Sequence, residues 1–158
     1  MRKIVYMRAD GGMSVVHPNR NTHGEVPGIT DAEVEQRAWD KMPADAINPR
    51  WVVDGEIPTD RTFRDAWEDA GMVRVNMPKA REIDKTNRRR ARVPKLATQD
   101  AEFFKALEAW LVVQPNIPPA LQAAMVKKQA LRDVTADPAI EAAKTPEELI
   151  AAWPEILK

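Results

Sequence analysis

The chain has 158 residues, 30% of them charged and 44% apolar, and a formal net charge of zero. That length is near the size of one domain, which excludes a multidomain enzyme with its own cofactor module, and no apolar run approaches the roughly 18 residues that cross a bilayer. Zero cysteines exclude a disulfide framework, thiolate catalysis and thiolate zinc sites.

At the start, Arg2 and Lys3 are followed only by Ile4, Val5, Tyr6 and Met7. This is too short for the apolar region of a signal peptide, so synthesis and residence in a cytoplasm are expected. Lys3 to Arg8 and Met13 to His17 flank Ala9-Asp10-Gly11-Gly12 and predict a β-hairpin. Thr30 can cap a helix that has Asp31 and Glu33 in its first turn. Val34, Ala38 and Met42 recur at helical spacing, Trp39 joins that face, and Pro43 stops it. Asn48-Pro49 and Pro58 read as breakers, leaving Arg50 to Val53 and Met72 to Val75 as the remaining strands.

All six glycines precede Asn76. From there the text predicts helix: Asn76 as N-cap, Pro78 in the first turn, and a helix to about Leu111 interrupted or kinked at Pro94. Its expected apolar stripe runs through Ala80, Ile83, Asn87, Ala91, Ala97, Ala101, Phe104 and Leu111 and is thin before Pro94. A proline-rich link leads into a second helix, Pro119 to Val134, whose stripe holds Leu121, Met125, Lys128 or Gln129, and Leu131. The two helices should fold back as a hairpin. Thr145-Pro146-Glu147-Glu148 opens a closing helix with the pattern of a capping box. The expectation is an α+β chain: a small unit of strands and one helix over 1–75, then a helical hairpin with a short C-terminal helix over 76–158.

His17 and His23 share a Gly/Pro/Asn-rich loop with Asp10 and Glu25 in reach, but their spacing matches no rigid ligand motif, and no metal or cofactor is expected. Asp54, Glu56, Asp60, Asp65, Glu68 and Asp69 supply carboxylates without the geometry of a glycosidase pair, and no nucleophile or phosphate-loop motif occurs. An enzyme is not expected. Between Lys79 and Lys95 stand eight cations, Lys79, Arg81, Lys85, Arg88, Arg89, Arg90, Arg92 and Lys95, against Glu82 and Asp84, a local charge of +6 in a neutral chain. Such a run can track phosphates. Three consecutive arginines, Arg88, Arg89 and Arg90, fan over about 200° of a helix, however, so these and Arg92 are read as protein-facing or solvent-facing, with carboxylates as partners. Phe63, Trp67, Phe104, Trp110 and Trp153 are core anchors unless exposed, in which case they mark a docking surface.

The run Ile57-Pro58-Thr59-Asp60-Arg61-Thr62-Phe63-Arg64-Asp65-Ala66-Trp67 resembles a type of small protein encoded among the tail and tail-fibre genes of tailed bacteriophages. That group's Asp-Met-Pro-Lys-Ala-Arg-Glu-Ile stands here as Asn76 to Ile83. Its later steps match Arg92-Val93-Pro94-Lys95-Leu96, Phe104-Lys105-Ala106-Leu107-Glu108, Lys128 to Asp133, Asp137 to Ile140, Thr145 to Leu149 and Trp153-Pro154. The match spans Ile57 to Pro154 and departs at Trp110 to Pro119, where a proline-rich link replaces a short Gly-Asp turn. The resemblance implies a structural or assembly protein of the virion, put together in the host cytoplasm, and carries over no catalytic residues. Contacts with other tail or fibre proteins, a homo-oligomer, and no membrane are expected, with Phe63, Trp67, Arg88, Arg89, Arg92, Phe104, Trp110 and Trp153 as contact residues. The alternative is a nucleic-acid-binding accessory protein using residues 79–95.

Overall fold

A computed structural model describes residues 1–20, 28–113 and 116–158. It is mixed α+β and divides into two compact units, Met1–Asn76 and Met77–Lys158.

In the first unit, β1 (Lys3–Met7) lies between β2 (Met13–Val16) and β3 (Ile47–Val52), antiparallel to both. The β1–β2 turn closes through Arg8 N–H donating to the Gly12 carbonyl at 2.7 Å, and Gly11 sits at φ +76°, where a side chain would be strained. Ile4 and Val5 are both fully buried, so both faces of β1 are covered. Val5 packs with Met13, Val52, Trp67 and Val73, joining the sheet to the β4 (Trp67–Asp69) and β5 (Val73–Val75) hairpin. On the other face, Trp51 pairs with Ile4 across the strands and stacks on Trp39 of α1 (Asp31–Asp40) at 5.2 Å.

Thr30 and Glu33 form the full capping box of α1: Glu33 N–H donates to Thr30 Oγ1, and Thr30 N–H donates to Glu33 Oε2 at 2.8 Å. The helix ends at Asp40 with Lys41 as its C-cap, so Met42 lies beyond it and Pro43 stands two residues past the cap. Asn48-Pro49 does not break β3. Asn48 takes φ +49°, the β1 register shifts beside it between Val5 and Met7, and Pro49 is tolerated on an edge strand that bulges there.

The second unit is built on α2 (Met77–Val113), 37 residues long. α2 runs through Pro94 without the expected interruption. The Thr98 hydroxyl donates back to the Pro94 carbonyl at 3.2 Å. α3 (Pro119–Asp133) returns antiparallel, as shown by Lys128 pairing with Asp100, Arg92 reaching the Arg132 carbonyl, and Arg88 reaching the Val134 carbonyl. α4 (Pro138–Ala142), α5 (Pro146–Ala151) and a single 3-10 turn at Glu155–Leu157 close the chain. Leu131, Val134, Ile140, Leu149 and Leu157 are buried among these elements.

Two expected stripes need correction. On α3 the buried positions are Leu121, Ala124 and Leu131, with Lys128 half-buried, while Met125 is exposed. On α2 the buried positions are Ala80, Asp84 and Arg88, whereas Ala97, Ala101, Phe104 and Leu111 face outward. Phe103 and Phe104 are adjacent and so point about 100° apart. Phe103, Leu107 and Trp110, at helical spacing, are the set that is half-buried. Lys128 Nζ of α3 stands 4.4 Å over the Phe103 ring. The bulkier stripe is the one α3 covers.

Candidate functional site

Helix C-termini leave carbonyls without partners and carry a partial negative charge. In the second unit, three arginines of α2 meet those carbonyls. Arg81 Nη2 donates to the Ala143 carbonyl that ends α4, at 2.8 Å. Arg88 Nη1 donates to Val134, which ends α3, at 3.1 Å, and its Nη2 to Ala152, which ends α5, at 2.8 Å. Arg92 Nη1 donates to Arg132 in the last turn of α3 at 2.9 Å. Lys85, one turn from Arg81, pairs with Glu141 at 2.8 Å and Glu82 at 3.0 Å. The 81, 85, 88, 92 spacing places all four on one side of α2.

Arg88 is fully buried. Its Nε donates to Asp84 Oδ2 at 2.7 Å and its Nη1 also reaches Asp137 Oδ2 at 3.2 Å, while its guanidinium lies 5.7 Å from the centre of the Trp153 ring. Asp137 in turn caps α4, accepting from Ala139 N–H at 2.9 Å. A guanidinium presents five N–H donors in a planar fork, which fits a site with two helix ends and two carboxylates. Burial pushes the Asp84 carboxyl up from its ordinary value, and the Arg88 charge beside it pulls the other way. Lys85 holds Glu141 below the usual carboxylate range through its hydrogen bond and charge.

The expected contact residues therefore divide. Phe63 and Trp67 are 4% and 2% exposed and belong to the core of the first unit, and Arg88 is spent inside its own chain, so none of the three can meet another protein. Trp153 is half-buried with Arg88 over it, and Trp110 is half-buried on the inner side of α2 with its indole N–H enclosed and unpartnered. Arg92 is half-buried at the end of α3. Arg89 and Phe104 are exposed, Phe104 at 57%. Around it on the outward side of α2 lie Val93, Leu111 and Val112, at 62%, 59% and 85% exposure.

Five of the six carboxylates of the acidic stretch are engaged within the first unit. Asp69 takes a two-pronged bond from Arg50 at 2.7 and 2.9 Å, Asp54 pairs with Lys3 at 2.6 Å, Glu68 pairs with Arg74 at 2.9 Å, and Asp60 accepts from Thr62 N–H. Glu56 accepts from Val53 N–H, while Asp65 is exposed. Asp10 is held below its ordinary pKa by Gly12 N–H and Arg8, and His17 is pushed down by burial and by Lys3 and Arg61. His23 and Glu25 lie outside the described residues. Among the described residues, no group of three or more metal-ligating side chains comes together, and no helix is long and apolar enough to cross a membrane.

Sequence reasoning missed the helix-end role of Arg81 and Arg88, whose acceptors lie 62 and 64 residues away. It also missed that the uncovered apolar strip runs from Val93 along the far half of α2. Compared with known proteins, the chain matches no family model, no curated protein and no solved structure.

Proposed function

We propose that the chain is a non-enzymatic structural or assembly protein of the tail or tail-fibre region of a tailed bacteriophage, working through contacts with other virion proteins and with its own copies. The setting rests on the ordered motifs from Ile57 to Pro154. The observation that carries the contact role is the outward side of α2, where Val93, Phe104, Leu111 and Val112 stand in solvent along one helix. Soluble chains rarely leave such a strip without a partner.

The nucleic-acid reading draws on the same basic segment. It is weakened because Arg81, Lys85, Arg88 and Arg92 are engaged by helix ends and carboxylates of their own unit. Mass spectrometry of purified phage particles tests the proposal. A fixed stoichiometry of this chain per particle is expected for a virion component, and recovery only in assembly intermediates for an assembly factor. Absence from both would overturn the proposal.

A further inference from the structure

The outward stripe of α2 is complementary to itself. At about 100° per residue, Arg90, Pro94, Ala97, Ala101, Phe104 and Glu108 lie within roughly 80° of one another, and all six are exposed. One cation and one anion end the stripe, and neither the Arg90 nor the Glu108 side chain has a partner among the described residues. Arg90 with Glu108, Pro94 with Phe104, and Ala97 with Ala101 all share one midpoint, position 99. A twofold axis beside residue 99 would lay each member of a pair on the other.

We propose that a second copy of this chain docks antiparallel along this stripe of α2. The proposal rests on the protein-contact reading above and names one of its partners. In this register Arg90 meets Glu108 of the second copy at both ends, about 27 Å apart along the helix. Phe104 lies on Pro94 of the second copy, and Ala97 on Ala101 at the centre, where small side chains let the helices approach closely. Val93 and Leu111, both more than half exposed, widen the apolar strip on one flank. A parallel pair would instead set Arg90 on Arg90 and Glu108 on Glu108, and like charges facing across an interface oppose association. The charge pattern selects the antiparallel arrangement.

Sedimentation of the full chain from about 1 to about 100 µM should show a reversible monomer–dimer equilibrium. Arg90→Glu and Glu108→Arg should each weaken it roughly tenfold or more, and the double variant should recover it because the pair is merely swapped. The absence of native cysteine gives a direct check on direction. Thr98→Cys places a thiol beside the axis, whereas Lys105→Cys on the same flank places two thiols about 18 Å apart along the pair. A short bismaleimide should therefore link the first variant and not the second.

A monomer at every concentration, a dimer indifferent to both charge reversals, or equal linking of the two cysteine variants would overturn the proposal. These outcomes are separate from the particle test. A chain missing from particles could still dimerise, and a monomeric chain could still be a virion protein.

Discussion

Arg88 Nη2 donates to the carbonyl of Ala152 at 2.8 Å, joining the first third of α2 to the end of α5 across 64 residues. The same guanidinium holds the end of α3 and the cap of α4. Helices of 5 and 6 residues cannot persist alone, because nucleation costs more than so few hydrogen bonds return. α4 and α5 therefore depend on this attachment together with buried Ile140 and Leu149.

Replacing Arg88 by Ala leaves Asp84 buried without its cation and two helix ends without donors, so a loss of about 3–5 kcal/mol from the second unit is expected. Arg88→Met with Asp84→Leu should recover part of this by removing both charges, but not all, since the Val134 and Ala152 carbonyls stay unpaired. Urea unfolding of the three proteins, followed by hydrogen exchange of α2 amides, measures the order. A double variant weaker than Arg88→Ala would contradict the account.

The two units should respond to acid with opposite contributions from two carboxylates. Asp69 is held low by the Arg50 hydrogen bonds and charge. Its contribution to folding is thus present above its unfolded pKa, near about 3.9, and is lost as pH falls through its folded value. Asp84 is raised by burial, so the folded state binds its proton more readily than the unfolded one. Its contribution grows as pH falls through the folded value and levels off below the unfolded one. Asp69→Asn should flatten the acid loss of stability in the first unit, and Asp84→Asn should steepen it in the second. Exchange of β1 and α2 amides from pH 7 down to about pH 2, which spans the window below the unfolded carboxylate pKa, reads the slopes separately.

Thr145 is an N-cap that accepts from Glu148 N–H at 3.2 Å, as its sequence signature predicts. The Glu148 carboxylate turns back to Lys144 N–H, at 2.6 Å, and not to the cap residue itself. Thr145→Ala should cost about 1 kcal/mol, and Glu148→Ala a similar or smaller amount, measured as the shift in urea midpoint at constant slope. A neutral Thr145→Ala would mean that packing of Leu149 alone fixes α5.

Local chemistry was legible at several elements whose cause lies within a few residues. Thr30 with Glu33, Gly11 in the first turn, and Thr145-Pro146 each specify their element through contacts that close within one turn. Signals of the same kind were present for α4 in Asp137-Pro138, a cap followed by proline at the first helical position, and they predict that helix once applied. β4 is three residues, Trp67-Glu68-Asp69, too short for alternation to appear. The α2 stripe was misread because alanines fit either side of a helix, leaving the choice to Phe103 against Phe104, which depends on where α3 lies. Burial of Arg88 was beyond local reading: its partners are the ends of helices dozens of residues away, and no spacing rule in α2 points to them.

The same geometry sharpens the test of the nucleic-acid alternative. Arg89 and Arg90 are the exposed arginines of the run and point about 100° apart, so a straight phosphate track can engage one of them fully. Any variant that includes Arg88 would lose binding through unfolding and so says nothing about DNA. Arg89→Gln with Arg90→Gln leaves the buried attachment intact and is the informative pair. Duplex DNA should bind the unmodified protein no more tightly than the non-specific range of about 10⁻⁴ to 10⁻⁶ M near physiological salt, and the pair should change this by less than about threefold. Submicromolar binding with a steep salt slope, lost in the Arg89/Arg90 variant while its circular dichroism is unchanged, would establish the alternative in place of the virion reading.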